Sequence, residues 1–140
     1  IVHKTMQEMA FAYKTDPKHL KAVIGPGISM ENFEVGDEVY EAFEQAAFPM
    51  AEIAAQYPNA AFKANPEERE RMAAEGNIDQ PLKWHINLPL ANRNILEHMG
   101  VKPENIIQSD VCTYDSTDRF FSARRLGTES GRIYTAIYLK

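Results

Sequence analysis

Two adjacent arginines, Arg124 and Arg125, follow the apolar run Phe120-Phe121-Ser122 and precede the glycine-punctuated stretch Gly127-Thr128-Glu129-Ser130-Gly131-Arg132. A planar guanidinium suits bidentate capture of a phosphate or carboxylate; the competing role is a surface ion pair with one of the chain's many acids. If the chain runs extended through this stretch, neighbouring side chains alternate faces, so only one of the two arginines faces a shared cleft. A second candidate is Gly25-Pro26-Gly27-Ile28-Ser29, where missing side-chain bulk lets a ligand approach backbone N–H groups. Its spacing matches neither the dinucleotide fingerprint nor the P-loop, so a plain turn competes with a binding loop.

Metal chemistry has less to work with. His3, His19, His85, His98 and the single Cys112 form no H-E-x-x-H, no C-x-x-C and no short Cys/His cluster. His85, between Trp84 and Ile86, reads as a strand histidine satisfied by hydrogen bonds. Cys112 follows a strand end, where a thiol either faces a cleft or fills space as a small buried hydrophobe.

The elements that must position these groups follow from periodicity. Val2, Met6, Met9, Ala10 and Tyr13 form one helical stripe that is in phase from the first residues and has no capping side chain at its start. After the turn signal Asp16-Pro17, residues 20–24 read as a strand that stops at Gly25. Acids at Asp37, Glu38 and Glu41 open a helix whose buried face is Val39, Tyr40, Phe43, Ala46 and Ala47, broken or restarted at Pro49. Residues 51–75, mostly alanine and charge, predict exposed short helices around Pro58 and Pro66. Residues 83–87 predict a brief strand, and Leu88, Ala91, Ile95 and Met99 a helix ended by Gly100. Ile106-Ile107, residues 120–122 and residues 133–139 are further strand candidates, the last being the most β-prone run in the chain. This order predicts an α/β fold, a mixed sheet packed with helices in a sandwich-like arrangement.

The chain has 140 residues, enough for one compact domain, with 44% hydrophobic and 25% charged residues, which excludes disorder and a membrane span on composition. Its net charge of −5 and lack of a basic run argue against nucleic-acid binding. One cysteine makes no internal disulfide and demands no oxidising compartment, and the opening Ile1-Val2-His3-Lys4 shows neither a start Met nor a signal peptide.

Five blocks in order, Ala22-Val23-Ile24-Gly25-Pro26-Gly27-Ile28-Ser29, then residues 32–39, residues 84–93, Cys112-Thr113 and residues 120–132, resemble the C-terminal part of the laccase-domain proteins, also called the multicopper polyphenol oxidase family. The pattern G-P-x-I-S-x-x-x-(F/Y)-E-V-G over residues 25–36 and F-F-S-x-R-R over residues 120–125 are the most specific. The resemblance implies a zinc-dependent, cytoplasmic purine nucleoside phosphorylase that splits adenosine or inosine with phosphate, with adenosine deamination as a further activity.

It also implies that residues 1–140 form one unit, the C-terminal part of a larger domain. The family's metal-binding histidines and cysteine then lie in the missing N-terminal half, which becomes a partner of this chain, and no metal ligand is carried over to it. The substrate and phosphate site would use Arg124 or Arg125 with Ser122 and the loop Gly25, Gly27 and Ile28. Three departures stand out: Gly27 where the family commonly has cysteine, Asn87 where it has aspartate, and Leu126 where R-R-D-G has aspartate. Two other readings stay open: copper-dependent oxidation of phenols, for which Cys112 has no histidine at local spacing, and a non-catalytic structural or interaction module.

Overall fold

The computed structural model describes residues 1–58, 70 and 82–138. They group into two compact units, one formed by Ile1–Ser29 and Leu88–Lys140, the other by Met30–Asn87. The fold is mixed α/β, with one parallel and one antiparallel sheet.

In the first unit, β1 (Ala22–Ile24) pairs in parallel with β5 (Ile106–Gln108), setting Ala22 opposite Ile106 and Val23 opposite Ile107. Two helices pack with this ribbon: α1 (Val2–Tyr13) and α4 (Leu88–His98). Met6, Leu96, Val101 and Ile106 form the buried cluster, with Val2, Leu20, Ala22, Ile24 and Met99 packed against it. The α1 stripe is narrower than its periodicity predicts: Met6 is buried, whereas Ala10 and Tyr13 lie in solvent. Asp16 caps the 3₁₀ turn Pro17–His19 by accepting from the Lys18 N–H at 3.0 Å.

The end of α4 is the best-punctuated boundary. Gly100 takes φ +95°, its N–H donates to the Glu97 carbonyl at 3.0 Å, and the Val101 N–H donates to the Leu96 carbonyl at 3.0 Å. This paired closure satisfies two helix-end carbonyls and carries Val101 into the core beside Leu96.

In the second unit, β4 (Leu82–Ile86) is the central strand between β2 (Glu34–Val35) and β3 (Ala54–Pro58), both antiparallel to it. α2 (Asp37–Gln45) starts at Gly36, and its Tyr40 stacks on Trp84 with ring centroids 4.1 Å apart. The short α3 (Met50–Ile53) restarts after Pro49 and delivers the fully buried Ile53. Ile53 accepts the Asn87 N–H at 2.7 Å.

Several expectations are corrected. Residues 54–58 form β3 rather than a helix, because the ladder to β4 from Ala54↔Ile86 to Pro58↔Leu82 outweighs the helix preference of Ala54-Ala55. The rest of the 51–75 prediction, apart from α3, lies outside the described residues except for Glu70, which is helical. Ala46 and Ala47 fall beyond the end of α2 and are exposed. Residues 120–122 are not a strand: Phe120 sits in a bend, and Ser122 is the N-cap of a helical turn, α5 (Ala123–Leu126). Residues 133–138 also form no strand, since no described segment offers them a ladder, and β-propensity is realised only against a neighbour.

Candidate anion-binding site

All six residues singled out for substrate and phosphate, Gly25, Gly27, Ile28, Ser122, Arg124 and Arg125, fall in the first unit. The loop after β1 is stitched to the segment after β5. Ser109 N–H donates to Ile24 at 2.8 Å, Gly27 N–H to Val111 at 3.4 Å, and Thr113 N–H to Gly27 at 2.8 Å. Gly27 and Cys112 thereby form a parallel bridge that continues the β1–β5 pairing beyond the strands. Both backbone groups of Gly27 are engaged, so its N–H serves the ladder rather than a ligand.

The glycines play different parts. A Cβ on Gly25 would meet the Thr135 Oγ1 at 3.4 Å, so the chain passes close there. A Cβ on Gly27 would meet nothing within 4 Å, and Gly27 does not adopt positive φ. The glycine that replaces the expected cysteine is therefore not required by the backbone.

Cys112 does more than fill space. Its Sγ accepts the Ser29 N–H at 3.3 Å, a contact across 83 residues of sequence that holds the glycine loop in place. Two residues on, the Tyr114 ring carries the Arg125 guanidinium over its face, 4.9 Å from the centroid. Periodicity gave no signal for Tyr114, because the contact is made by a turn rather than by a regular element.

The arginines lie on α5, not on an extended strand, so they do not alternate faces as expected; both are exposed. Ser122 is buried and its carbonyl accepts from Arg125 N–H at 3.1 Å and Leu126 N–H at 2.8 Å, which makes it a hinge for the turn. Gly127, at φ +84°, ends the turn. Arg132 curls back so that its Nη1 donates to the Ser130 carbonyl at 2.6 Å. The Phe121 ring lies against Gly131, where an added Cβ would fall 2.7 Å from it. Chemically, the arginine turn offers two exposed guanidiniums, that of Arg125 over the Tyr114 ring, and a guanidinium suits an anion.

Among the described residues no group of three or more His, Cys, Asp or Glu side chains is arranged to hold a metal ion. The residue closest in character to a ligand is His85, in the second unit. Its ring is buried, Nδ1 lies 2.9 Å from the Met30 carbonyl oxygen, and Nε2 has no hydrogen-bond partner among the described residues. The Tyr57 ring meets it edge-on with centroids 5.1 Å apart. One imidazole is not a donor set for zinc or copper, so the described residues by themselves do not fit either ion.

The sequence profile described as multi-copper polyphenol oxidoreductase laccase matches residues 1–140. The chain belongs to that family. Among its relatives, a purine nucleoside phosphorylase of Bacteroides thetaiotaomicron is 36% identical over 99% of this chain and 44% of its own length. A protein named adenosine deaminase RL5, from an unknown prokaryotic organism, is 40% identical over 86% of this chain and 38% of its own length. The crystal structure of the Bacillus licheniformis hypothetical protein YfiH superposes with a TM-score of 0.67 at 21% identity, covering 89% of this chain and 39% of that one. The laccase-family chain thus spans less than half the length of these relatives. No helix among its described residues is long and apolar enough to cross a membrane.

Proposed function

We propose that this chain supplies the C-terminal part of a cytoplasmic, zinc-dependent purine nucleoside phosphorylase whose metal ligands lie outside these residues. The substrates are adenosine or inosine and inorganic phosphate. A phosphate oxygen bonds to the ribose C1′ as the C1′–N bond breaks; its electron pair leaves with the purine, which takes up a proton. Adenosine deamination is a further activity of the same reading, supported by the relative named for it.

The observation that carries the assignment is the run of contacts from Ser29 through Cys112 and Tyr114 to Arg125, which ties the glycine loop and the arginine turn to one segment. In this reading Arg124 or Arg125 neutralises and orients phosphate, while Ser122 and Gly25, Gly27 and Ile28 shape the floor. A guanidinium held in place before the reaction needs little reorganisation as charge shifts from phosphate to the departing base.

Product analysis of inosine incubated with the complete protein tests the proposal. Hypoxanthine and ribose 1-phosphate formed only when phosphate is present support it; phenol oxidation without nucleoside cleavage contradicts it.

A further inference from the structure

Tyr114 has no part in the substrate assignment above, yet its ring lies under the Arg125 guanidinium, 4.9 Å from centroid to cation. Lys14 over Phe11 and Arg119 over Phe120 are contacts between near neighbours in sequence, both at 5.5 Å. The Tyr114 contact instead joins the turn at residues 113–115 to α5. Each end is anchored by a buried neighbour. Thr113 is buried and its N–H donates to the Gly27 carbonyl at 2.8 Å, while the Ser116 N–H closes the turn onto the Cys112 carbonyl at 3.1 Å. Ser122 is buried too, and its carbonyl accepts the Arg125 N–H at 3.1 Å.

A ring face attracts the guanidinium charge without occupying its fork of N–H donors. Among the described residues no carboxylate or carbonyl pairs with that fork, and Arg125 is exposed. Neighbours on a helical turn point about 100° apart, so one ring restrains one arginine of the pair. An arginine ordered before its ligand arrives loses less side-chain freedom on binding, and its planar fork matches two oxygens of a phosphate.

We infer that Tyr114 is a positioning residue that makes Arg125, rather than Arg124, the phosphate-binding arginine of the turn. The ring restrains the guanidinium and leaves its donor fork to two oxygens of inorganic phosphate. The inference rests on the phosphorylase reading and assigns the phosphate contact within it.

Two readouts on the complete protein separate the inference from that reading: binding of inorganic phosphate by titration calorimetry, and steady-state phosphorolysis of inosine. Tyr114→Leu is expected to weaken phosphate binding and raise KM for phosphate about three- to tenfold, with KM for inosine within about twofold of the parent. Tyr114→Phe keeps a ring face and should bind phosphate as the parent does. In an Arg125→Ala background Tyr114→Leu should have no further effect, whereas with Arg124→Ala its effect should persist in full. A merely structural tyrosine would disturb both substrates and both backgrounds alike. Phosphate binding seen by neither readout, parent-like binding by Tyr114→Leu or by the exposed-site variant Arg125→Ala, a loss in Tyr114→Phe equal to that in Tyr114→Leu, or a Tyr114→Leu effect that survives Arg125→Ala would each overturn the inference. Phosphate binding with the expected pattern but no inosine cleavage refutes the phosphorylase reading alone. Inosine phosphorolysis with a phosphate KM indifferent to Tyr114→Leu refutes the inference alone.

Discussion

The backbone N–H of Ser29 donates to the Sγ of Cys112 at 3.3 Å, joining the glycine loop to the segment after β5. The lone thiol thus acts as a structural acceptor. Replacing it with alanine removes that acceptor from a half-buried N–H, a loss of about 0.5–1.5 kcal/mol. Cys112→Ala should therefore unfold at lower urea than Cys112→Ser, whose hydroxyl can still accept. Equal midpoints for the two variants would show that the hydrogen bond contributes nothing.

The Arg125–Tyr114 contact should register as a coupling. For a cation over an aromatic face at an exposed site, about 0.5–1 kcal/mol is expected. A double-mutant cycle with Arg125→Ala and Tyr114→Leu, read by urea unfolding, measures it. Strict additivity would mean that the ring does not hold the arginine.

Two glycines should respond in opposite directions. Gly100 sits at φ +95° and closes α4, so Gly100→Ala should destabilise by about 1 kcal/mol or more. Gly27 lacks positive φ and has open space at its Cβ position, so Gly27→Ala should be neutral or stabilise by about 0.4–1 kcal/mol. Thermal midpoints that shift in the same direction for both would contradict this account of the loop.

Much of the fold is legible in the residues themselves. The α4 stripe and Gly100 specify a helix and its stop locally, and the structure realises them through the paired closure at Val101. β1, β4, β5 and α2 follow from short apolar runs and an acidic first turn. What escaped depends on partners distant in sequence. β3 exists because β4 accepts it, and residues 133–138 remain outside any strand because no described segment pairs with them. At the site, the two segments that carry Gly27 and Arg125 were legible as motifs. Their link through Cys112 and Tyr114 was not, because a thiol acceptor and a ring beneath a guanidinium leave no periodic trace.

On the proposed reading, in which the metal ligands lie outside these residues, the isolated chain should bind no stoichiometric zinc and turn over no nucleoside. Elemental analysis of the purified polypeptide and an inosine phosphorolysis assay check both statements. Phosphorolysis by the chain alone, abolished by a chelator, would contradict them.

The arginine turn is proposed to seat phosphate. It is tested most directly by steady-state phosphorolysis in the complete protein with Arg124→Glu and Arg125→Glu made separately. A charge-assisted contact to phosphate is worth about 1.5–3 kcal/mol, so at least one variant should lose about 10- to 100-fold in kcat/KM for phosphate. Wild-type phosphate dependence in both variants would contradict the account.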